Sequence, residues 1–215
     1  MKLGMCTSNF IDYSAEAMVD VYNKTRIFSF VEIWDDSGYY TETTREARHL
    51  AKIFTQAGVG VCSVHTPFSN WSESKEEKYF MSLEKSLARA GAMGAKYAVF
   101  HPIALAGEQH MPGSLIKDAM PGSFALWQKA AYLAAKYNIQ IALENLPPGK
   151  QWPKGCSIDW VVEIVNALDM AHVGICLDFS HCFALGQDVI GVIRRYGKEN
   201  ILGIHASDGI YADLA

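Results

Sequence analysis

A chain of 215 residues, half of them hydrophobic, is long enough to bury one sizeable core and reads as a single domain over 1–215. Its formal net charge of -4 lacks the basic footprint on which phosphate binding depends, which weighs against a nucleic-acid partner. No run approaches the roughly 20 apolar residues of a membrane span, and the opening Met1-Lys2-Leu3-Gly4-Met5-Cys6 turns polar too early for a secretory signal, so a soluble, cytoplasmic protein is expected.

Along the chain, short apolar runs rich in β-branched and aromatic residues alternate with helix-like segments, the pattern of parallel strands joined by crossover helices. Strands are expected at 2–6, 28–34, 59–65, 97–101, 139–144, 173–178 and 201–205. Between them, segments such as 73–93 and 124–137 carry apolar residues at helical spacing. Gly58, Gly94, Asn138 and Asn200 stand before strands, where a helix ends on a left-handed residue. The longest loops, 104–123 and 147–156, both follow a strand. Loops of that size in a compact domain are more often functional than idle. The five cysteines are an odd number without a Cys-x-x-Cys pair and read as reduced packing residues, Cys176 among them.

Strand side chains alternate between faces, and that alternation gives the strand ends their interest. If Ile141 and Leu143 face the helices, Glu144 faces inward; the same phasing turns His65, His101, Asp178 and His205 inward, and Glu32 with them. Intervals of 36, 43, 34 and 27 residues separate the last five in chain order, close to one strand–helix unit each. In a (β/α) barrel, the carboxyl ends of the strands are where active sites are built. The expected class is therefore α/β, a TIM (β/α)8-type barrel with seven strands in this chain. Any one strand histidine is ordinarily a hydrogen-bonded core residue. Two buried carboxylates facing one another are a different matter, because without a cation one of them has to stay protonated. A divalent metal removes that difficulty, and the mixed carboxylate and imidazole set suits Mn, Co, Fe or Zn. Glu32 has an alternative reading as an ion pair beneath the rim. His49 and His172 read as surface residues, and His110 as a solvated loop histidine within reach of a ligand. Phe68, Trp71, Trp152 and Phe179 follow strands and could wall a sugar ring or simply pack their loops.

The segments Val64-His65-Thr66-Pro67, Phe100-His101-Pro102, Ala142-Leu143-Glu144-Asn145, Gly174-Ile175-Cys176-Leu177-Asp178-Phe179-Ser180-His181 and Gly203-Ile204-His205-Ala206-Ser207-Asp208 resemble, in order and spacing, the xylose-isomerase-like barrel superfamily. That superfamily unites sugar isomerases and epimerases with DNA-repair enzymes of the endonuclease IV type. In the isomerase and epimerase branch, the resemblance implies that Glu144, Asp178 and His205 are metal ligands. Glu144 would be the base and His181 would donate to a substrate oxygen, while His65, His101, Glu32 and Trp152 would meet the substrate. In the repair branch, it implies that His65, His101 and His181 are further ligands of a zinc cluster.

The chain departs from both branches after His205, where ten residues remain. The eighth strand, the glutamate that closes the metal site and the Asp-x-His element of the repair branch are all missing. A barrel of this type runs to about 250 residues, so the chain reads as truncated, with a second copy of itself as a candidate cover for the open edges. The leading expectation is a metal-dependent isomerase or epimerase of a sugar or sugar phosphate. The alternatives are a zinc phosphodiesterase acting on abasic DNA and a non-catalytic sugar-binding relic.

Overall fold

The computed structural model describes residues 3–35, 42–67, 72–110, 113–197 and 200–206. In chain order its elements are β1 (Gly4–Cys6), α1 (Ala15–Thr25), β2 (Phe30–Trp34), α2 (Thr44–Gln56), β3 (Gly60–His65), α3 (Glu76–Met93), β4 (Tyr97–Phe100), α4 (Ile116–Ala119), α5 (Pro121–Lys136), β5 (Gln140–Glu144), α6 (Ile158–Leu168), β6 (Val173–Asp178), α7 (Phe179–Ala184), α8 (Val189–Tyr196) and β7 (Ile201–His205). Two short 3-10 turns, Thr7–Phe10 and Glu73–Lys75, complete the set among the described residues. This is the α/β class with the strand–helix alternation of a (β/α) barrel, and the seven expected strands are present within a residue or two of their expected limits. Phe68 and Trp71 lie outside the described residues. Two compact units divide the chain, one of residues 1–99 and 133–140, the other of 100–132 and 141–215.

In the first unit, β1 pairs with β2, β2 with β3 and β3 with β4, all parallel. The helices form where the sequence supplies both caps and stripes. The Thr43 hydroxyl oxygen accepts the Glu46 N–H at 3.2 Å and the Glu46 carboxylate accepts the Thr43 N–H at 3.0 Å, a reciprocal capping box that starts α2. Ala47, Leu50, Ala51 and Phe54 then fall at helical spacing and are buried. α3 buries Tyr79, Phe80, Leu83, Leu87 and Ala90 in the same way and stops at Gly94, whose φ of 75° is the left-handed cap expected there. Gly58 and Asn138 are also left-handed, as expected. Arg26 and Asp169 adopt the same conformation at the ends of α1 and α6, where neither is a residue that announces a stop.

In the second unit, β5 pairs with β6 and β6 with β7, again parallel. Ile141, Ala142, Leu143 and Glu144 are all buried, as in a strand covered on both faces. α6 starts on Ser157, whose side chain accepts the Trp160 N–H, and buries Ile158, Val161, Ile164 and Leu168. Each large side chain withdrawn from water in this way contributes about 1.5–3 kcal/mol.

The pairing of β6 with β7 slips by one residue: Ile175 faces Ile201, but Cys176 faces Gly203. Leu202 is the extra residue, and Gly174 makes room for it. A Cβ on Gly174 would stand 2.7 Å from Leu202 Cγ and 3.0 Å from the Asn200 carbonyl oxygen. Gly174→Ala is therefore expected to lower stability by about 1–3 kcal/mol through overpacking. Thermal unfolding measures this directly, and an unchanged midpoint would refute the close approach.

Candidate metal centre

The slip between β6 and β7 sets the partners of the candidate site. Unshifted, the register at Ile201 would put Asp178 opposite Ile204; with the extra residue, Asp178 faces His205. Glu144, the last residue of β5, pairs with Cys176 and is 1% exposed, and Asp178 is 6% exposed. The second unit thus gathers Glu144, Asp178 and His205, with His101 and His181 beside them.

His205 Nδ1 lies 3.0 Å from Glu144 Oε1 and 3.7 Å from Asp178 Oδ2. On its other oxygen, Glu144 Oε2 meets His101 Nε2 at 2.9 Å. Asp178 divides its carboxylate between two tasks. Oδ1 accepts the Ser180 hydroxyl at 2.7 Å and the His181 N–H at 2.8 Å, capping α7, while Oδ2 faces His205. Glu144, Asp178 and His205 each bring one ligand atom, and the three atoms lie within 4.8 Å of one another. Donors around one ion at about 2.1 Å stand about 3.0–3.5 Å apart in octahedral or tetrahedral arrangement. The two His205 distances, 3.0 and 3.7 Å, match that spacing to a few tenths of an ångström, and the oxygen and nitrogen donor set is that of a borderline divalent ion. The residues present fit such a metal.

His181 is oriented by the main chain. Its Nδ1 is 2.7 Å from the Asn145 carbonyl oxygen, and a carbonyl only accepts, so the proton sits on Nδ1. When uncharged, a ring in this tautomer offers a lone pair at Nε2. Cys182 packs below, and burial, with the Asp178 charge adding to it, pushes its thiol up to about 11. It stays a neutral thiol, so no soft ligand joins the oxygen and nitrogen set. Cys176 is fully buried.

The long loops of this unit hold His101 in place. Trp152 Nε1 donates to the Pro102 carbonyl at 2.8 Å and Trp127 Nε1 to the Ile103 carbonyl at 2.7 Å. Gln151 Oε1 accepts the Ala104 N–H at 3.3 Å. Trp152 is 5% exposed, so its indole backs the turn after β4 instead of standing open in the loop. Leu146 and Cys156 exchange two main-chain hydrogen bonds of 2.9 Å and close the Trp152 loop. Although burial raises the Glu108 carboxyl, bonds from Ser123 and Gly122 outweigh it and hold the group below the usual carboxylate range. Glu108 thereby ties the start of α5 to the loop at 2.8 Å on two N–H groups. His110 is buried, not solvated: its Nε2 pairs with Glu163 at 2.6 Å and its ring meets the Trp160 edge. His172 donates to the Ala131 carbonyl at 2.9 Å. His49 is exposed.

The remaining expected site residues lie in the first unit. Glu32 is buried and accepts the Ser63 hydroxyl at 2.6 Å, a bond created by a one-residue slip that puts Glu32 opposite Ser63 in place of Cys62. His65 Nδ1 donates to the Thr66 carbonyl at 3.1 Å, so its Nε2 also carries a lone pair.

Residues 28–214 match the family described as the xylose isomerase-like TIM barrel, and the chain belongs to that family. Among curated proteins it is similar to a probable endonuclease 4 of Shouchella clausii, 27% identical over 165 residues that make up 70% of this chain and 53% of the relative. The chain thus spans about half the length of that relative. Among solved structures, it resembles a D-tagatose 3-epimerase-like protein with a TM-score of 0.75 and 19% identity, covering 97% of this chain and 76% of that one. The IOLI protein, solved with a bound zinc atom, gives a TM-score of 0.69 and 20% identity over 95% of this chain and 72% of that one. At these identities the structural likeness bears on fold alone. Among the described residues, no helix is long and apolar enough to cross a membrane.

Proposed function

We propose that this member of the xylose isomerase-like TIM-barrel family is a metal-dependent isomerase or epimerase that moves a proton next to a carbonyl in a sugar or sugar phosphate. The observation that carries this reading is the convergence of Glu144 Oε1, Asp178 Oδ2 and His205 Nδ1 at the ends of three adjacent strands. When bound there, a divalent ion supplies Lewis acidity to a carbonyl oxygen and its neighbouring hydroxyl, where negative charge develops. Glu144 is the proposed base. His101 holds its Oε2 at 2.9 Å, which fixes the carboxylate plane and leaves it within hydrogen-bond reach of a carbon-bound proton. His181 orients a substrate hydroxyl by accepting its proton at Nε2. Asp178 contributes charge and orientation, with its second oxygen committed to α7. The epimerase-like neighbour supports a small-molecule sugar as the substrate class.

A second reading, a phosphodiesterase of the endonuclease type, is favoured by the 27% identical relative and by His101 at the same carboxylate as His205. The formal net charge of -4 opposes it, because a duplex held by phosphate contacts asks for lysines and arginines.

One experiment separates the two. The full chain is loaded with manganese or zinc and incubated in deuterated water with a panel of ketoses and ketose phosphates, while a parallel sample receives a duplex carrying an abasic site. Metal-dependent exchange of the proton beside the carbonyl, without strand cleavage, is the expected result. Cleavage without exchange would transfer the assignment to the second reading, and neither activity in the presence of bound metal would leave sugar binding without turnover.

A further inference from the structure

We infer that Asn145 is the positioning residue of the centre, fixing the main chain of Asp178 with its side chain and the ring of His181 with its carbonyl; the inference rests on the metal-site reading above. Asn145 is 0% exposed and follows Glu144 directly. The ladder between β5 and β6 ends at Glu144 opposite Cys176, two residues short of Asp178. In a parallel ladder, the N–H and C=O of one residue point toward the same neighbouring strand, so Asp178 presents two buried main-chain groups beyond the last rung. The Asn145 amide meets both: Oδ1 accepts the Asp178 N–H at 2.8 Å and Nδ2 donates to the Asp178 carbonyl at 3.0 Å. The same Nδ2 donates to Cys182 Sγ at 3.4 Å. Among the side chains of this size, only a primary amide offers an acceptor and donors in that arrangement; a carboxylate lacks the donors and an alkyl group lacks both.

The consequence runs to the ligands. With its main chain held by Asn145 and Oδ1 engaged in capping α7, Asp178 has one orientation, in which Oδ2 faces His205 at 3.7 Å. Through its own carbonyl, Asn145 also sets the His181 tautomer, so a single residue orders a ligand carboxylate and a neighbouring imidazole. Asn145 itself touches neither ion nor substrate.

The test compares the full chain with Asn145→Ala, Asn145→Ser and Ile164→Ala, the last being a buried residue of α6 away from these bonds. Zinc is titrated calorimetrically into each, thermal unfolding is recorded, and NMR of the metal-free proteins reads the hydrogen exchange of the Asp178 N–H beside the His181 tautomer. Loss of a supporting partner should weaken zinc binding about 10–100-fold in Asn145→Ala. Asn145→Ser, which keeps a hydroxyl and serves if the alanine variant fails to fold, should fall between it and the wild type. Ile164→Ala, though destabilised, should keep the wild-type affinity. The wild-type ring should be protonated at Nδ1 and stay so in the variants, which keep the main-chain carbonyl of residue 145; the Asp178 N–H, protected in the wild type, should exchange at least about 10-fold faster relative to its neighbours in Asn145→Ala but not in Ile164→Ala. Equal loss of zinc affinity in Asn145→Ala and Ile164→Ala would overturn the inference, as would a wild-type His181 protonated at Nε2. If the wild type takes up no zinc, the metal-site reading fails, and the metal-free spectra still decide the role of Asn145: unchanged protection of the Asp178 N–H in Asn145→Ala would reject it.

Discussion

Asp178→Asn is expected to leave the fold almost as stable as the wild type while removing most of its affinity for a divalent metal. The two oxygens of Asp178 make the separation possible. Oδ1 caps α7, and asparagine is as good a cap as aspartate, so the Ser180 and His181 bonds survive in kind. Oδ2, which faces His205 at 3.7 Å, is where the amide nitrogen falls, and an amide brings neither the charge nor the lone pairs of a carboxylate. Losing a hydrogen-bond partner of a metal ligand typically costs about 10–100-fold in metal affinity, so losing a ligand should exceed that range. Calorimetric titration with zinc, read beside the thermal midpoint, distinguishes the outcomes. A variant that binds as tightly as the wild type would remove Asp178 from the centre; one that unfolds would mean the cap depends on charge.

Glu144→Gln carries the largest expected effect on turnover. A positioned general base contributes about 10²–10⁴-fold, and the amide cannot take a proton from carbon. The neighbouring histidines sharpen the expectation. His101 Nε2 and His205 Nδ1 both approach the Glu144 carboxylate, at 2.9 and 3.0 Å. With the ion bound, His205 Nδ1 would give its lone pair to the metal and His101 would remain the donor to the carboxylate; an amide can turn its NH2 toward that ring and force it to expose a lone pair instead. Loss of proton exchange by at least about 10²-fold, measured under saturating manganese in deuterated water, is the expected outcome. Exchange at an undiminished rate would require another base among the groups near the centre, and the base assignment would be abandoned.

These expectations depend on features that were not equally visible in the sequence. The alternation in Ile141-Ala142-Leu143-Glu144 and its counterparts placed inward-facing acids and imidazoles at strand ends, because side-chain direction in a strand has a period of two and does not depend on what packs against it. Helix ends were legible for the same local reason: the left-handed Gly94 is short-range chemistry. Arg26 and Asp169, left-handed without being glycine, were not, since their conformation is imposed by the tertiary path.

The residues at the site could be named from the sequence, but their pairing could not. Whether Asp178 faces Ile204 or His205 turns on one extra residue at Leu202, and that slip depends on a side chain 26 or more residues away finding space over Gly174. Trp152 was open in the sequence between walling a sugar ring and packing its loop; its indole N–H donates to the Pro102 carbonyl and backs the His101 turn, a contact that only folding supplies. Asn145 stood beside Glu144 in a motif that the sequence displayed, yet its role was hidden, because an amide acquires one only when folding delivers the unpaired main chain of Asp178 to it. Periodicity and caps belong to the sequence alone. Register, tautomer and hydrogen-bond partner were decided by the tertiary structure, because each depends on residues that only folding brings within 3 Å or so.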